Sequence, residues 1–289
     1  MSSIKPQASI PAPSISLATV VAAALVVAGC AAPEQSGDSG GEADAATDAS
    51  VATVTTDASA LAAVLADGQA VFGTFSGPTT REQGALMGQN RELDFVFYSL
   101  ESGPFDIMTT ELYMAGVAEG SGAEAPHPMI LRVPPIRDGE DAARANVATA
   151  LDAGVAAIVF PHVESGAEAA VAVSAMGDEL WPGNPSGSLL SILIIEDRSG
   201  VERADEIVAT PGVSVVFAGP GDLRRSYEGD MEAVEAAIQT VLAACQAHGV
   251  PCGITAGVDD IAERIGQGFR MFIVNDAAAV SAGRAAAGR

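Results

Sequence analysis

Two apolar runs in this chain end in carboxylates. Leu190-Ser191-Ile192-Leu193-Ile194-Ile195 runs into Glu196, and Val215-Val216-Phe217-Ala218 leads through Gly219-Pro220-Gly221 to Asp222. Apolar, largely β-branched runs of this length are how parallel strands buried on both faces read. In a closed barrel of such strands, the C-terminal strand ends form the mouth where active sites sit. Two carboxylates on neighbouring strand ends could share one divalent cation through oxygen. Two unrelated strand-capping acids would give the same pattern.

The elements needed to place those acids can be traced along the chain. Strand candidates cover 71–76, 94–100, 128–134, 156–161, 190–196, 213–219, 250–255 and 269–275. Helix-compatible stretches separate them. Residues 140–153 are alanine-rich and stop at Gly154, and 165–176 open with a serine cap and Glu168 three positions on. Residues 230–248 space Val234, Ile238, Val241 and Leu242 at helical intervals before Gly249, and 258–265 precede Gly266. A further helix at 57–66 is placed to cover the bottom of the barrel. Eight alternations of strand and helix predict a single-domain α/β fold, the TIM (β/α)8 barrel. An open doubly wound sheet is the competing architecture, but no Gly-x-Gly-x-x-Gly turn follows the first strand.

Taken in order, several segments resemble the metal-dependent HpcH/HpaI aldolases, the hydroxy-oxo-acid aldolases related to the citrate lyase β subunit. They are Val71-Phe72-Gly73-Thr74-Phe75, Asp94-Phe95-Val96-Phe97, Glu101-Ser102-Gly103-Pro104-Phe105-Asp106, Leu131-Arg132-Val133-Pro134, Leu151-Asp152-Ala153-Gly154 and Ile158-Val159-Phe160-Pro161-His162-Val163, followed by the two carboxylate strand ends. The resemblance implies a class II aldol cleavage that releases pyruvate or a similar 2-oxo acid from a 2-oxo-4-hydroxy acid. It implies Glu196 and Asp222 as metal ligands, and Mg²⁺ or Mn²⁺ suits a carboxylate-and-water set. The metal would stabilise the enolate left by bond cleavage. Arg132 matches the arginine that faces the developing enolate oxygen, a task suited to a fixed guanidinium; a salt bridge to Glu196 or Glu101 is the structural alternative. Gly219 and Gly221 either present backbone N–H groups to a substrate carboxylate or simply form a tight turn.

This chain departs from the family pattern at the second strand. Where the pattern ends Asp-x-Glu-His-Gly, the chain reads Ser99-Leu100-Glu101-Ser102-Gly103. A serine hydroxyl is too weak a base near neutral pH to replace histidine. Proton transfer would then fall to Glu101, a metal-bound water or His162, the one histidine of three on the mouth side; loop packing is the alternative for His162. His127 and His248 precede strands and belong at the bottom. A second departure is the segment 176–187, which carries the single tryptophan, Trp181, in place of a Gly-x-Arg-Gly-like loop. Trp181 reads as a substrate lid or as a plug. A catalytically repurposed barrel that binds a small oxo acid or a metal is the second functional reading.

Composition bounds partners and address. The net charge of −23, with 14 basic residues in 289, excludes a nucleic-acid surface. Residues 1–30 combine Lys5, an apolar stretch and Val27-Ala28-Gly29-Cys30, the pattern of a lipoprotein signal peptide with lipidation at Cys30. Residues 31–56 are small and polar and read as a disordered tether, leaving 57–289 as the barrel. The expected address is exported and lipid-anchored to the bacterial cell envelope, with membrane contact only through that lipid. Thioester cofactors are scarce outside the cytoplasm, which favours a free 2-oxo acid as the small-molecule partner. Cys245 and Cys252 read as two buried thiols rather than a bridge. Only 276–289 follow the last strand, enough for one short helix, and a homo-oligomer is left open. Mass spectrometry of the protein from its native host is expected to find no residue before Cys30 and a lipid on its sulfur. A native chain beginning at Met1 would contradict the export reading.

Overall fold

The computed structural model describes residues 53–289; the expected signal peptide, Cys30 and most of the expected tether lie outside the described residues. Nine parallel strands form one sheet: β1 Val71–Phe75, β2 Phe95–Ser99, β3 Met129–Arg132, β4 Ala157–Phe160, β5 Leu180–Trp181, β6 Leu189–Ile195, β7 Val215–Ala218, β8 Cys252–Thr255 and β9 Met271–Val274. All strands but β5 close into a ring, because β9 pairs with β1 and β4 pairs with β6. This is the expected (β/α)8 barrel. The eight expected strands are the eight of the ring; seven are one to three residues shorter than expected, and β6 is shifted one residue towards the N-terminus.

Side-chain parity divides the core in two. Phe95 and Phe97, Ile130, Val159, Leu190, Ile192 and Ile194, Phe217, and Met271 and Ile273 point into the barrel. Val96, Tyr98, Leu131, Ile158, Phe160, Leu193, Ile195 and Val216 point out against the helices. Strand residues alternate faces, so the inward series reaches Ser99 and Arg132 at the last rungs of β2 and β3 and continues past the ends of β6 and β7 into Glu196 and Gly219. The upper layer of the barrel therefore carries polar groups and a glycine directly above an apolar floor.

Local signals set the helix ends. Ser165 Oγ accepts from Glu168 N, and Glu168 reaches back to Glu164 N, a capping box shifted by one residue from its usual return partner. Helix Met231–His248 is capped by Asp230, which accepts from the amides of Glu232 and Ala233, and it ends at Gly249 with φ 67°. Helix Ser59–Ala66 closes the bottom, burying Leu61, Ala62 and Leu65 against the inner cluster. Among the described residues, no helix is long and apolar enough to cross a membrane. Cys245 and Cys252 are buried free thiols.

The expected domain boundary at residue 57 moves towards the N-terminus. Thr56 is 7% exposed; its N–H and Oγ1 both donate to Gly154 O, and Oγ1 accepts from Met129 N at 3.2 Å. A hydroxyl that satisfies two buried backbone groups belongs to the packed domain even though its sequence neighbours are tether-like. Thr56→Val is expected to destabilise the barrel by about 1–3 kcal/mol, because it strands the buried Met129 amide while the Gly154 carbonyl keeps only its backbone donor. Urea unfolding of the two proteins measures this, and coincident midpoints would contradict it.

Candidate active site

The mouth of the barrel is lined by charged groups standing on an apolar floor. A cavity of about 180 Å³ is walled by Arg132, Glu196, Gly219, Gly221 and Asp222 and floored by Phe97, Ile194, Phe217 and Ile273. Glu196 continues the inward series of β6 and is only 2% exposed. Its Oε1 accepts from His162 N at 3.1 Å, and among the described residues nothing donates to Oε2. Burial is the main force on this group and pushes its pKa up to about 7. The contact with His162 opposes that rise, and the negative charge of Asp222 adds to it. A buried carboxylate with one free oxygen, next to a second carboxylate, is the donor set that a hard cation fits.

The approach to Glu196 requires a glycine. A Cβ on Gly219 would lie 2.5 Å from Glu196 Oε2 and 2.9 Å from Ile194 Cγ2. At Gly221 a Cβ would meet nothing within 4 Å, so that glycine leaves the cavity open. The short helix Pro220–Ser226 begins at this turn, with Asp222 in its first turn and paired to Arg225.

Arg132, at the end of β3, faces the cavity with its guanidinium 5.4 Å from the Phe97 ring centroid. Nη2 meets Glu101 Oε2 at 2.9 Å and Nε donates to Ser99 Oγ at 3.0 Å. Of the two salt-bridge partners considered for Arg132, the structure brings Glu101. Glu101 also reaches His162, with Oε1 3.6 Å from Nε2. His162 follows β4 with φ 54°, a conformation that costs a non-glycine residue about 1–3 kcal/mol. The bond from its N–H to Glu196 helps hold it there. Its Nδ1 lies 2.8 Å from Asp197 Oδ2, and Asp197 also accepts from Arg137 Nη1 at 3.3 Å.

Glu101, His162 and Glu196 form the tightest group of possible ligand atoms among the described residues, all within 4.8 Å of one another. Asp222 shares the cavity with Glu196 but lies outside that group. Glu101, Arg132, His162, Glu196, Gly219, Gly221 and Asp222 therefore all gather at the mouth, where the sequence placed them.

Trp181 does not, and the reading of it as a substrate-binding residue is corrected. It pairs with Leu190 at the start of β6 and packs half-buried against the inner cluster at the bottom of the barrel. The reason is topological: each helix runs back down from the mouth, so a segment between a helix and the next strand must lie at the bottom. Asp197 and Arg137 were missed. Asp197 directly follows Glu196 and reads as an ordinary helix cap, and Arg137 lies in a short 3₁₀ turn with no motif around it.

The fold and the mouth define a class: (β/α)8-barrel proteins with an acid-and-arginine site at the C-terminal strand ends. Comparison with known proteins narrows this. The model of the HpcH/HpaI aldolase/citrate lyase family matches residues 118–274, more than half of the chain. The chain belongs to that family. It is 39% identical over 84 residues to the 5-keto-4-deoxy-D-glucarate aldolase of Citrobacter koseri, a match covering 27% of this chain and 33% of that protein. The matched segment thus spans about a third of the curated relative's length. An HpcH/HpaI aldolase/citrate lyase family protein from Burkholderia cenocepacia superposes with a TM-score of 0.65 at 24% identity, covering 75% of this chain and 92% of that one. Protein CitE from Mycobacterium tuberculosis, in complex with magnesium and acetate, superposes with a TM-score of 0.56 at 18% identity, covering 79% and 92%. These two structural likenesses carry the fold.

Gly219→Ala tests whether the space beside Glu196 serves an ion. Displacing the carboxylate is expected to weaken Mn²⁺ binding about 10–100-fold, the range seen when groups supporting a ligand are changed. Calorimetry measures it, with circular dichroism confirming the fold. Wild-type affinity in the variant would contradict the expectation.

Proposed function

We propose that this protein is a divalent-metal-dependent carbon–carbon lyase that cleaves a 2-oxo-4-hydroxy acid or a related acid. The observation that carries the reading is the buried, half-satisfied Glu196 carboxylate facing Arg132 across a small cavity at the barrel mouth. Membership of an aldolase/citrate lyase family, the 5-keto-4-deoxy-D-glucarate aldolase relative and the magnesium-bound CitE structure support it.

Glu196 and Asp222 are the residues that would hold Mg²⁺ or Mn²⁺. When bound, the ion supplies a Lewis acid for the oxygen on which enolate charge develops. Arg132 faces the same cavity from β3. Its contacts with Glu101, Ser99 and the Phe97 ring fix the guanidinium before substrate arrives, so stabilising the enolate requires little reorganisation. The apolar floor of Phe97, Ile194, Phe217 and Ile273 keeps water from the reacting carbons. Gly221 leaves room at the Gly219–Asp222 turn for a substrate carboxylate. The cavity of about 180 Å³ suits a fragment the size of a small oxo acid.

The second reading, a repurposed barrel that binds such an acid without cleaving it, draws on Ser99 and Ser102, which stand where the family pattern has an aspartate and a histidine.

Exchange of pyruvate methyl protons with deuterated water, followed by NMR with saturating Mn²⁺, separates the two readings. The lyase reading expects metal-dependent exchange that Asp222→Ala abolishes and Arg132→Ala slows about 10²–10³-fold, the effect of removing one preorganised donor from a developing oxyanion. The double variant Ser99→Asp with Ser102→His restores the family pattern and is expected to raise the rate. Absence of exchange in both wild type and restored variant would overturn the lyase reading and leave the binding reading.

A further inference from the structure

The end of β2 carries no histidine, and its one carboxylate, Glu101, is tied to Arg132 Nη2 at 2.9 Å. Ser99 Oγ accepts from Arg132 Nε, and Ser102 offers only a second hydroxyl. On the far side of Glu101, two local departures meet at one contact. Asp197 stands at the N-cap of helix Arg198–Glu202, where an aspartate ordinarily accepts from the next amides, yet its side chain makes no capping bond. It is turned instead to His162 Nδ1 at 2.8 Å. His162 takes up its half of the contact from a backbone with φ 54°, tied by its N–H to Glu196. The Asp197 side chain forgoes its capping bonds and the His162 backbone adopts a positive φ, and both departures serve the same hydrogen bond.

The contact has a chemical consequence. With Nδ1–H donated to Asp197, the lone pair of the neutral ring lies on Nε2. That nitrogen points toward Glu101, 3.6 Å away, and His162 lines a pocket of about 320 Å³ with Glu101, Ser102, Arg137, Asp222 and Arg225. This pocket and the Arg132 cavity share Asp222. A substrate whose oxo-acid end fills the cavity would extend its remaining carbons into the pocket beside His162.

We infer that Asp197 and His162 form the acid–base pair of this site, joining the loops after β6 and β4 and replacing a pair at the end of β2. The inference rests on the lyase reading. His162 Nε2 takes the proton of the substrate 4-hydroxyl. The C4–O bond becomes a carbonyl as C3–C4 breaks, and the released electron pair forms the C2–C3 double bond and leaves the C2 oxygen as an enolate. The imidazolium then returns its proton to C3, which becomes the methyl group of the oxo acid. Asp197 stays ionised throughout. It is a positioning residue that fixes the tautomer and stabilises the imidazolium, as the aspartate does in a serine-protease triad.

A purely structural tie between two loops would show the same contact, so the test reads more than stability. In the full-length protein saturated with diamagnetic Mg²⁺, ¹⁵N NMR of its three histidines reports which ring nitrogen carries the proton. His162 is expected to hold it on Nδ1 in the wild type, and Asp197→Asn is expected to shift it towards Nε2. In Mn²⁺-supported cleavage of 4-hydroxy-2-oxopentanoate, His162→Asn is expected to lower kcat about 10²–10⁴-fold, the usual contribution of a general base. Asp197→Asn lowers kcat with KM nearly kept, and Asp197→Glu recovers part of the loss. A neutral wild-type His162 carrying its single proton on Nε2 would overturn the inference, a result that needs no variant to fold. Wild-type cleavage rates in a folded His162→Asn would overturn it too, while leaving the lyase reading intact. A wild-type protein that neither cleaves this substrate nor exchanges pyruvate protons overturns the inference, and the lyase reading falls with it when the Ser99→Asp, Ser102→His variant is inactive too.

Discussion

Glu196 is a carboxylate with 2% of its surface exposed, set at the top of an apolar barrel interior, and much of the mouth is arranged around it. Removing a charge from water is costly unless it is paired and hydrogen-bonded. The protein supplies only part of that compensation. One backbone amide reaches Oε1, from a residue held in a left-handed conformation. Gly219 supplies the space for Oε2 by having no side chain. The pKa near 7 records what is missing: without further positive charge the group is close to binding a proton. Arg132 is spoken for by Glu101 and Ser99, so the nearest guanidinium does not neutralise Glu196 directly. A divalent cation would complete the balance, and the site makes electrostatic sense with that ion in place.

The same accounting bears on how a chain of net charge −23 would receive the anionic oxo acid proposed as its substrate. The arginines near the mouth are held in acid pairs: Arg132 with Glu101, Arg137 with Glu164 and Asp197, Arg225 with Asp222. Such pairs fix the geometry of the cations and leave little net positive charge. Affinity for an anion must then depend on a bound metal and on oriented dipoles at the Gly219–Asp222 turn, more than on a generally positive surface.

The fold was legible in the sequence because a parallel barrel repeats one signal eight times. Each buried strand is an apolar run, and each helix start or stop carries its own marker, such as Ser165, Asp230 or Gly249. Inward parity is also a sequence property, which is why Arg132, Glu196 and Gly219 could be placed at the mouth from spacing and resemblance alone. What could not be read were contacts between loops. Asp197 looks like a helix cap until the structure turns it to His162, and Thr56 looks like tether until its hydroxyl is seen between Gly154 and Met129. Trp181 was misplaced for the opposite reason. An eye-catching residue was weighed by its chemistry, when its position between a helix and the next strand already assigned it to the bottom.

One question of geometry decides the account. Glu101, His162 and Glu196 offer the most compact set of ligand atoms, whereas the proposed ion sits between Glu196 and Asp222, leaving His162 free to move protons. Diffraction from crystals grown with Mn²⁺ and oxalate, a planar mimic of enolpyruvate, measures this directly through the anomalous signal of the metal. The account predicts one peak at about 2.0–2.3 Å from carboxylate oxygens of both Glu196 and Asp222, with His162 Nε2 outside ligand distance. A peak on His162 Nε2 and Glu101, or none at saturating Mn²⁺, would contradict it.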